Sequence, residues 1–159
     1  MPLLIGAVAV CAAALGSLAQ AAISITADAD WSPSVGAADL QAGPGSNLAA
    51  LKLSPPGHVV IEITGTTGNF DFWQVDVHRV NFGWHPSLGI AVKRMGPGAG
   101  PGAVNGGLIP VDVTLTPTNF FSGRGDRVAI PIEVSINGIS VAIPPATYTT
   151  RVVFTVIDI

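Results

Sequence analysis

The stretch Arg127-Val128-Ala129-Ile130-Pro131-Ile132-Glu133-Val134-Ser135-Ile136-Asn137-Gly138 decides the fold class. Val128, Ile130, Ile132, Val134 and Ile136 take every second position, with Arg127, Ala129, Pro131, Glu133 and Ser135 between them. Side chains on a strand alternate between the two faces of a sheet, so the pattern describes one half-buried β-strand and fits no helix. Asn137-Gly138 then precedes a second alternating run, Ile139-Val141-Ile143. Asn-Gly suits a type I′ turn, whose two central residues both need positive φ, so a hairpin is expected there.

The same period recurs on either side. Val59-Ile61-Ile63 alternate with His58 and Glu62, Trp73-Val75-Val77 with Gln74, Asp76 and His78, and Val111-Val113-Leu115 with Asp112, Thr114 and Thr116. Leu88-Ile90-Val92 and the segment Ala22 to Ala29 add two more strands. The last run, Thr147 to Ile159, has Tyr148, Val152, Phe154 and Val156 on one side and Val153, Ile157 and Ile159 on the other, so it is expected to be buried on both faces. Only Asn47 to Lys52 offers a short helical candidate. About eight strands with closely spaced turn signals argue for an all-β protein, an antiparallel β-sandwich of the immunoglobulin-like kind. Two Gly- and Pro-rich stretches, 41–57 and 96–107, are expected to be surface loops too irregular to pair in a sheet. No internal repeat appears, and one domain is expected over 31–159.

Composition narrows the function. Only 17 of the 159 residues are charged, 10 acidic and 7 basic, and the net charge of -3 leaves no basic footprint for nucleic acid. The 48% of AVILMFWYC residues excludes the composition of a disordered chain despite 19 glycines and 13 prolines. Residues 3 to 19 (LLIGAVAVCAAALGSLA) are uncharged and run into Ala19-Gln20-Ala21, a small-residue cleavage pattern, so 1–21 is expected to be a signal peptide. Cys11, the one cysteine, lies inside it, which leaves the expected mature chain without disulfides and without a membrane anchor after cleavage.

Chemistry-bearing patterns are sparse. His58, His78 and His85 share no metal-ligand spacing, and the Asp28/Asp30 pair supplies too few oxygens for calcium, so no metal or cofactor is expected. There is no G-x-S-x-G or phosphate-loop signature, and no enzymatic activity is expected. Arg124-Gly125-Asp126 reads as a polar turn before the strand at Val128. Among the aromatics, Trp84 in Asn81-Phe82-Gly83-Trp84-His85-Pro86 is the candidate for an exposed ligand contact. The segment Ala22-Ile23-Ser24-Ile25-Thr26-Ala27-Asp28-Ala29 alternates from the expected mature terminus onward. Periodicity leaves open whether it is the first strand of its own sandwich or completes a neighbour's sheet by strand addition.

The ending Pro145-Ala146-Thr147-Tyr148-Thr149-Thr150-Arg151-Val152-Val153-Phe154-Thr155-Val156, a P-x-T-Y-T turn into a long final strand, resembles that of spore coat U-type and related chaperone-usher pilin subunits. That resemblance implies an incomplete immunoglobulin-like sandwich, secreted through the periplasm with a chaperone and an outer-membrane usher as partners. It would polymerise with itself into a surface filament or coat. By the same resemblance residues 22–30 are the donor strand, with Ile23, Ile25 and Ala27 as its plugs, and Tyr148, Val152, Phe154 and Val156 line the acceptor groove. The chain departs from such subunits in lacking cysteines in its mature part. The alternative reading is a monomeric secreted binding module that uses Trp84 and the Gly-rich loops against a glycan or protein.

Overall fold

The computed structural model describes residues 22–27 and 29–159, so the expected signal peptide at 1–21 lies outside the described residues. Ten strands follow in order: β1 Ser24–Ala27, β2 Leu51–Leu53, β3 Val59–Thr64, β4 Phe72–Asn81, β5 Gly89–Arg94, β6 Ala103–Gly106, β7 Val111–Asp112, β8 Thr118–Arg124, β9 Arg127–Asn137 and β10 Thr150–Asp158. Every pairing between them is antiparallel. One sheet runs β1-β3-β9-β5-β7, with β2 also paired to β9, and the other runs β10-β4-β8-β6. The two pack face to face as the expected β-sandwich. One 3-10 turn, Ala37–Asp39, is the sole helical element among the described residues.

The period-two runs account for the core. Val59, Ile61 and Ile63 on β3, Trp73, Val75 and Val77 on β4, and Ile130 and Ile132 on β9 are fully buried, as is Phe154 on β10. Each such side chain contributes about 1.5–3 kcal/mol through burial. Trp73 reaches furthest: its indole N–H donates to the Gly125 carbonyl at 2.9 Å, and its ring meets Phe121 edge-on at 6.0 Å.

Five expectations are corrected. No hairpin forms at Asn137-Gly138, because the end of β9 already has neighbours on both sides: Asn137 pairs with Leu51 of β2 and with Gly89 of β5. Ile139-Val141-Ile143 therefore finds no open ladder beside β9, and only Ile139 of the three is buried. The helical candidate at 47–52 contains the start of β2, whose Lys52 is recruited to the β9 ladder opposite Ile136. In the run at 111–115 only Val111–Asp112 is strand, and Leu115 is 58% exposed. The final strand is buried on both faces only as far as Phe154, after which Ile157 and Ile159 are exposed.

The fifth correction concerns the Gly-rich stretch 96–107. Ala103–Gly106 pairs with β8, and Ala99 exchanges two backbone hydrogen bonds with Val128 at 2.7 and 2.8 Å. The stretch is also held by the side chain of Arg127, a residue expected on the outer face and found 7% exposed. The β3–β9 register shifts between Ile61 and Ile63, which oppose Ile130 and Arg127, so Ala129 sits at φ 54° in a bulge and Arg127 turns inward. Its guanidinium donates to the carbonyls of Pro97, Gly98, Gly100 and Gly102. The loop lies so close that a Cβ at Gly102 would stand 1.9 Å from the Arg124 carbonyl, which is why that position is glycine.

Candidate strand-docking edge

The sandwich has four lateral edges. β6 has four residues and ends in Gly106, and β7 has two residues next to Pro110, so the strands on that side are short and interrupted. On the opposite side lie β1, of four residues, and β10, of nine. β10 pairs with β4 along its whole length, and among the described residues nothing pairs with its other side. It contains neither Gly nor Pro, and its charges, Arg151 and Asp158, lie near its two ends. Long and regular, with β1 of the other sheet close beside it but not hydrogen-bonded to it, it is the kind of edge that accepts another strand.

The register shows which backbone groups are available. Ile159 N–H donates to the Phe72 carbonyl, and the β10–β4 pairing runs without a shift from Thr150↔Asn81 to Asp158↔Trp73. In an antiparallel ladder bonded and non-bonded pairs alternate, so the odd-numbered residues of β10 bond to β4. Thr150, Val152, Phe154, Val156 and Asp158 therefore turn their N–H and C=O groups to the open edge. Arg79, opposite Val152, confirms the parity, since its N–H points away from β10 and donates to the Thr114 carbonyl at 2.8 Å.

The side chains of Val152 and Phe154 are buried and Val156 is half-buried against the core, so these three join Tyr148 on the inward face. Tyr148 lies ahead of the strand; its hydroxyl donates to the Pro144 carbonyl at 2.7 Å and its ring meets His85 edge-on at 5.4 Å. It lines, with Val35, Leu48, Leu88, Ile139 and Ile143, an apolar cavity of about 120 Å³ at that end of the sandwich.

β1 is paired in cis. Ser24, Ile25, Thr26 and Ala27 stand opposite Thr64, Ile63, Glu62 and Ile61 of β3. Ile25 is 2% and Ala27 8% exposed, while Ile23 packs against the core from the margin. The three expected plug residues thus share one inward face, and Asp28 between them and the loop lies outside the described residues.

Trp84 is not exposed: it is 6% accessible and its indole N–H donates to the Leu88 carbonyl at 2.6 Å, which makes it a core residue rather than a ligand platform. Phe120 and Phe121 are buried as well, both turned inward where the β4–β8 register shifts between Val75 and Asp76. In the Arg-Gly-Asp turn, Asp126 accepts from the Thr66 N–H at 2.9 Å and hydroxyl at 2.6 Å, and these bonds hold its carboxyl below the usual aspartate range. Arg124 stacks on Phe70 at 4.9 Å, so neither charge is presented freely. His58 Nε2 donates to the Asp30 carbonyl at 3.0 Å. No three His, Cys, Asp or Glu side chains come together among the described residues.

Nothing in the sequence marked the asymmetry of the edges. Its nearest signal was negative: the final run carries no Pro, Gly or Lys over nine residues, while the chain before and after β6 is crowded with Gly and Pro. No protein-family model matches the chain, and no curated protein matches it.

Proposed function

We propose that the protein is the exported structural subunit of an extracellular filament or surface coat, an immunoglobulin-like sandwich that polymerises by receiving the amino-terminal strand of the next copy. One observation carries the proposal: among the described residues no strand hydrogen-bonds to the outer side of nine-residue β10, on the side of the sandwich where the short strand β1 lies. A strand laid there satisfies a row of N–H and C=O groups and needs no large flat interface. The low charge supports the reading too, since the first 27 residues hold none of the 17 charged side chains, so the donor segment is uncharged as far as Ala27. The Tyr148–Pro144 bond four residues upstream of the ring is the kind of corner found before a late strand in Greek-key sandwiches, which supports the immunoglobulin-like assignment. Under this reading the protein passes through the periplasm to the cell surface, with its own copies as principal partner and a chaperone and usher as accessory ones.

The test is direct. The exported protein is expected to form high-mass, detergent-resistant polymers visible by negative-stain electron microscopy, and deletion of residues 22–29 is expected to leave folded monomer only. Monodisperse full-length protein without fibres at high concentration sinks the proposal.

A further inference from the structure

The two longest described stretches between strands, 29–50 and 138–149, meet at the end of the sandwich where β10 begins and leave a hollow between them. We propose that this hollow is a binding site for a small uncharged apolar molecule of one ring, a simple arene or cycloalkane. The site stands apart from the outer edge of β10 and does not depend on strand donation.

Size selects a single ring. At about 120 Å³ the hollow compares with the ~150 Å³ apolar cavity that takes up benzene, so one ring fits and a peptide backbone does not.

The walls select an apolar, uncharged guest. Val35 and Leu48 come from the first stretch, Leu88 from the connection between β4 and β5, and Ile139 and Ile143 from the last stretch, and no charged residue is among those lining the hollow. An ion entering it would give up its hydration with no countercharge to replace it. The polar groups of the loop wall are engaged with one another. The Tyr148 hydroxyl donates to the Pro144 carbonyl at 2.7 Å, Ile143 N–H donates to the Ser140 carbonyl at 3.1 Å, and Ala142 N–H donates to the Ser140 hydroxyl at 3.2 Å. A well-held water needs about two to four polar partners. With those partners already bonded, an apolar guest displaces water readily.

The hollow is also braced. Pro144 and Pro145 have fixed φ and no N–H, so this part of the loop cannot close into a ladder. The Tyr148 ring stands edge-on to His85, and Ile139 N–H is tied to the Ala50 carbonyl at 3.2 Å. Leu88 is fixed at both backbone groups: its N–H donates to the His85 carbonyl at 3.0 Å and its carbonyl accepts the Trp84 indole N–H. Val35, Leu48, Ile143 and Tyr148 nonetheless stay only half-buried, which leaves apolar surface for a guest to cover without reordering the loops.

The experiment is saturation-transfer NMR on the exported protein with benzene and cyclohexanol, and with benzoate and cyclohexylammonium as charged counterparts. The signal is read on the small molecule, so monomer and polymer serve equally and the result is separate from that of the assembly test. Both neutral compounds are expected to receive saturation and to raise the thermal midpoint, and the charged ones to bind at least tenfold more weakly. Ala146→Leu, which fills the hollow from the loop wall, is expected to weaken binding of the neutral compounds at least tenfold while the far-UV circular dichroism is unchanged. Leu48→Phe fills it from the opposite wall, so the outcome does not hang on one variant folding. No saturation of either neutral compound, equal binding of the charged ones, or undiminished binding by folded filled variants overturns the site.

Discussion

Arg127 holds Pro97 with two prongs: Nε and Nη2 of the guanidinium both donate to the one Pro97 carbonyl, at 3.2 and 2.6 Å. The remaining N–H groups go to Gly98, Gly100 and Gly102, so all five donors of the side chain are used on the backbone of a single loop. Arg94 secures the flanks of the same loop through the Gly106 and Gly96 carbonyls, each at 2.8 Å. Burial, with a smaller contribution from the Arg127 charge, pulls Arg94 below the ordinary arginine range.

Arg127→Lys is expected to destabilise the fold by about 1–3 kcal/mol, nearly as much as Arg127→Ala, because a compact ammonium has neither the donors nor the fork to satisfy the four loop carbonyls that the buried guanidinium holds. The urea midpoint reads this out. Equal stability of the lysine variant would show that charge alone, not the fork, holds the loop.

Gly123→Ala is expected to cost about 1–3 kcal/mol. A Cβ there would lie 2.4 Å from the Trp73 ring and 2.5 Å from the Ala103 carbonyl, and neither can withdraw without breaking the Trp73–Gly125 bond or the β6–β8 ladder. Trp73 fluorescence followed through a denaturant titration reports both the loss of stability and any shift of the ring.

Proline substitution separates the two halves of the β10 ladder. Val156→Pro removes an N–H that faces the open edge and is expected to leave the fold largely intact while impairing polymerisation. Ile157→Pro removes an N–H bonded to β4 and is expected to lower stability by a further 1 kcal/mol or so. Denaturant midpoints and size-exclusion profiles of the two variants check the parity. Equal costs at the two positions would show that it is wrong.

Acid sensitivity is expected at Asp126. Its carboxyl titrates lower in the fold than in the unfolded chain, chiefly because the Thr66 hydroxyl and N–H bond to the ionised form. The contribution is complete above the unfolded value, about pH 4, and is lost as pH falls through the folded one. Asp126→Asn should flatten that part of the decline when stability is measured from pH 6 down to pH 3; an unchanged slope would assign the decline to other carboxylates.

Trp84→Ala is expected to destabilise by about 3–5 kcal/mol, as loss of a buried aromatic, with the Leu88 carbonyl left unpaired. A variant of full stability would return Trp84 to the surface.

The period-two runs at 59–63 and 73–77 were legible because the register shifts beside them place the extra residue on the partner strands β9 and β8, which leaves their own pleat regular. The segment around Arg127 was not: it alternates as written, yet the bulge at Ala129 inverts it, and a bulge depends on the partner strand β3, which local pattern does not contain. Asn137-Gly138 carried a sound hairpin signal that lost to strands arriving from 51–53 and 89–94. β8 hid because Phe120 and Phe121, adjacent in sequence, both point inward, and β6 hid among glycines. The apolar alternation of Ile23, Ile25 and Ala27 was readable, while the side of β10 left unpaired among the described residues is a property of topology, fixed only once the other strands have found their places.

The loop cage of Arg127 is made of guanidinium and carbonyl alone. The accepting carbonyls have no proton to exchange, and no carboxylate stands in the contact to be neutralised. Acid should therefore loosen the molecule first on the Thr66–Asp126 side of the β8–β9 turn, while the glycine loop a few residues away stays fastened to its arginine.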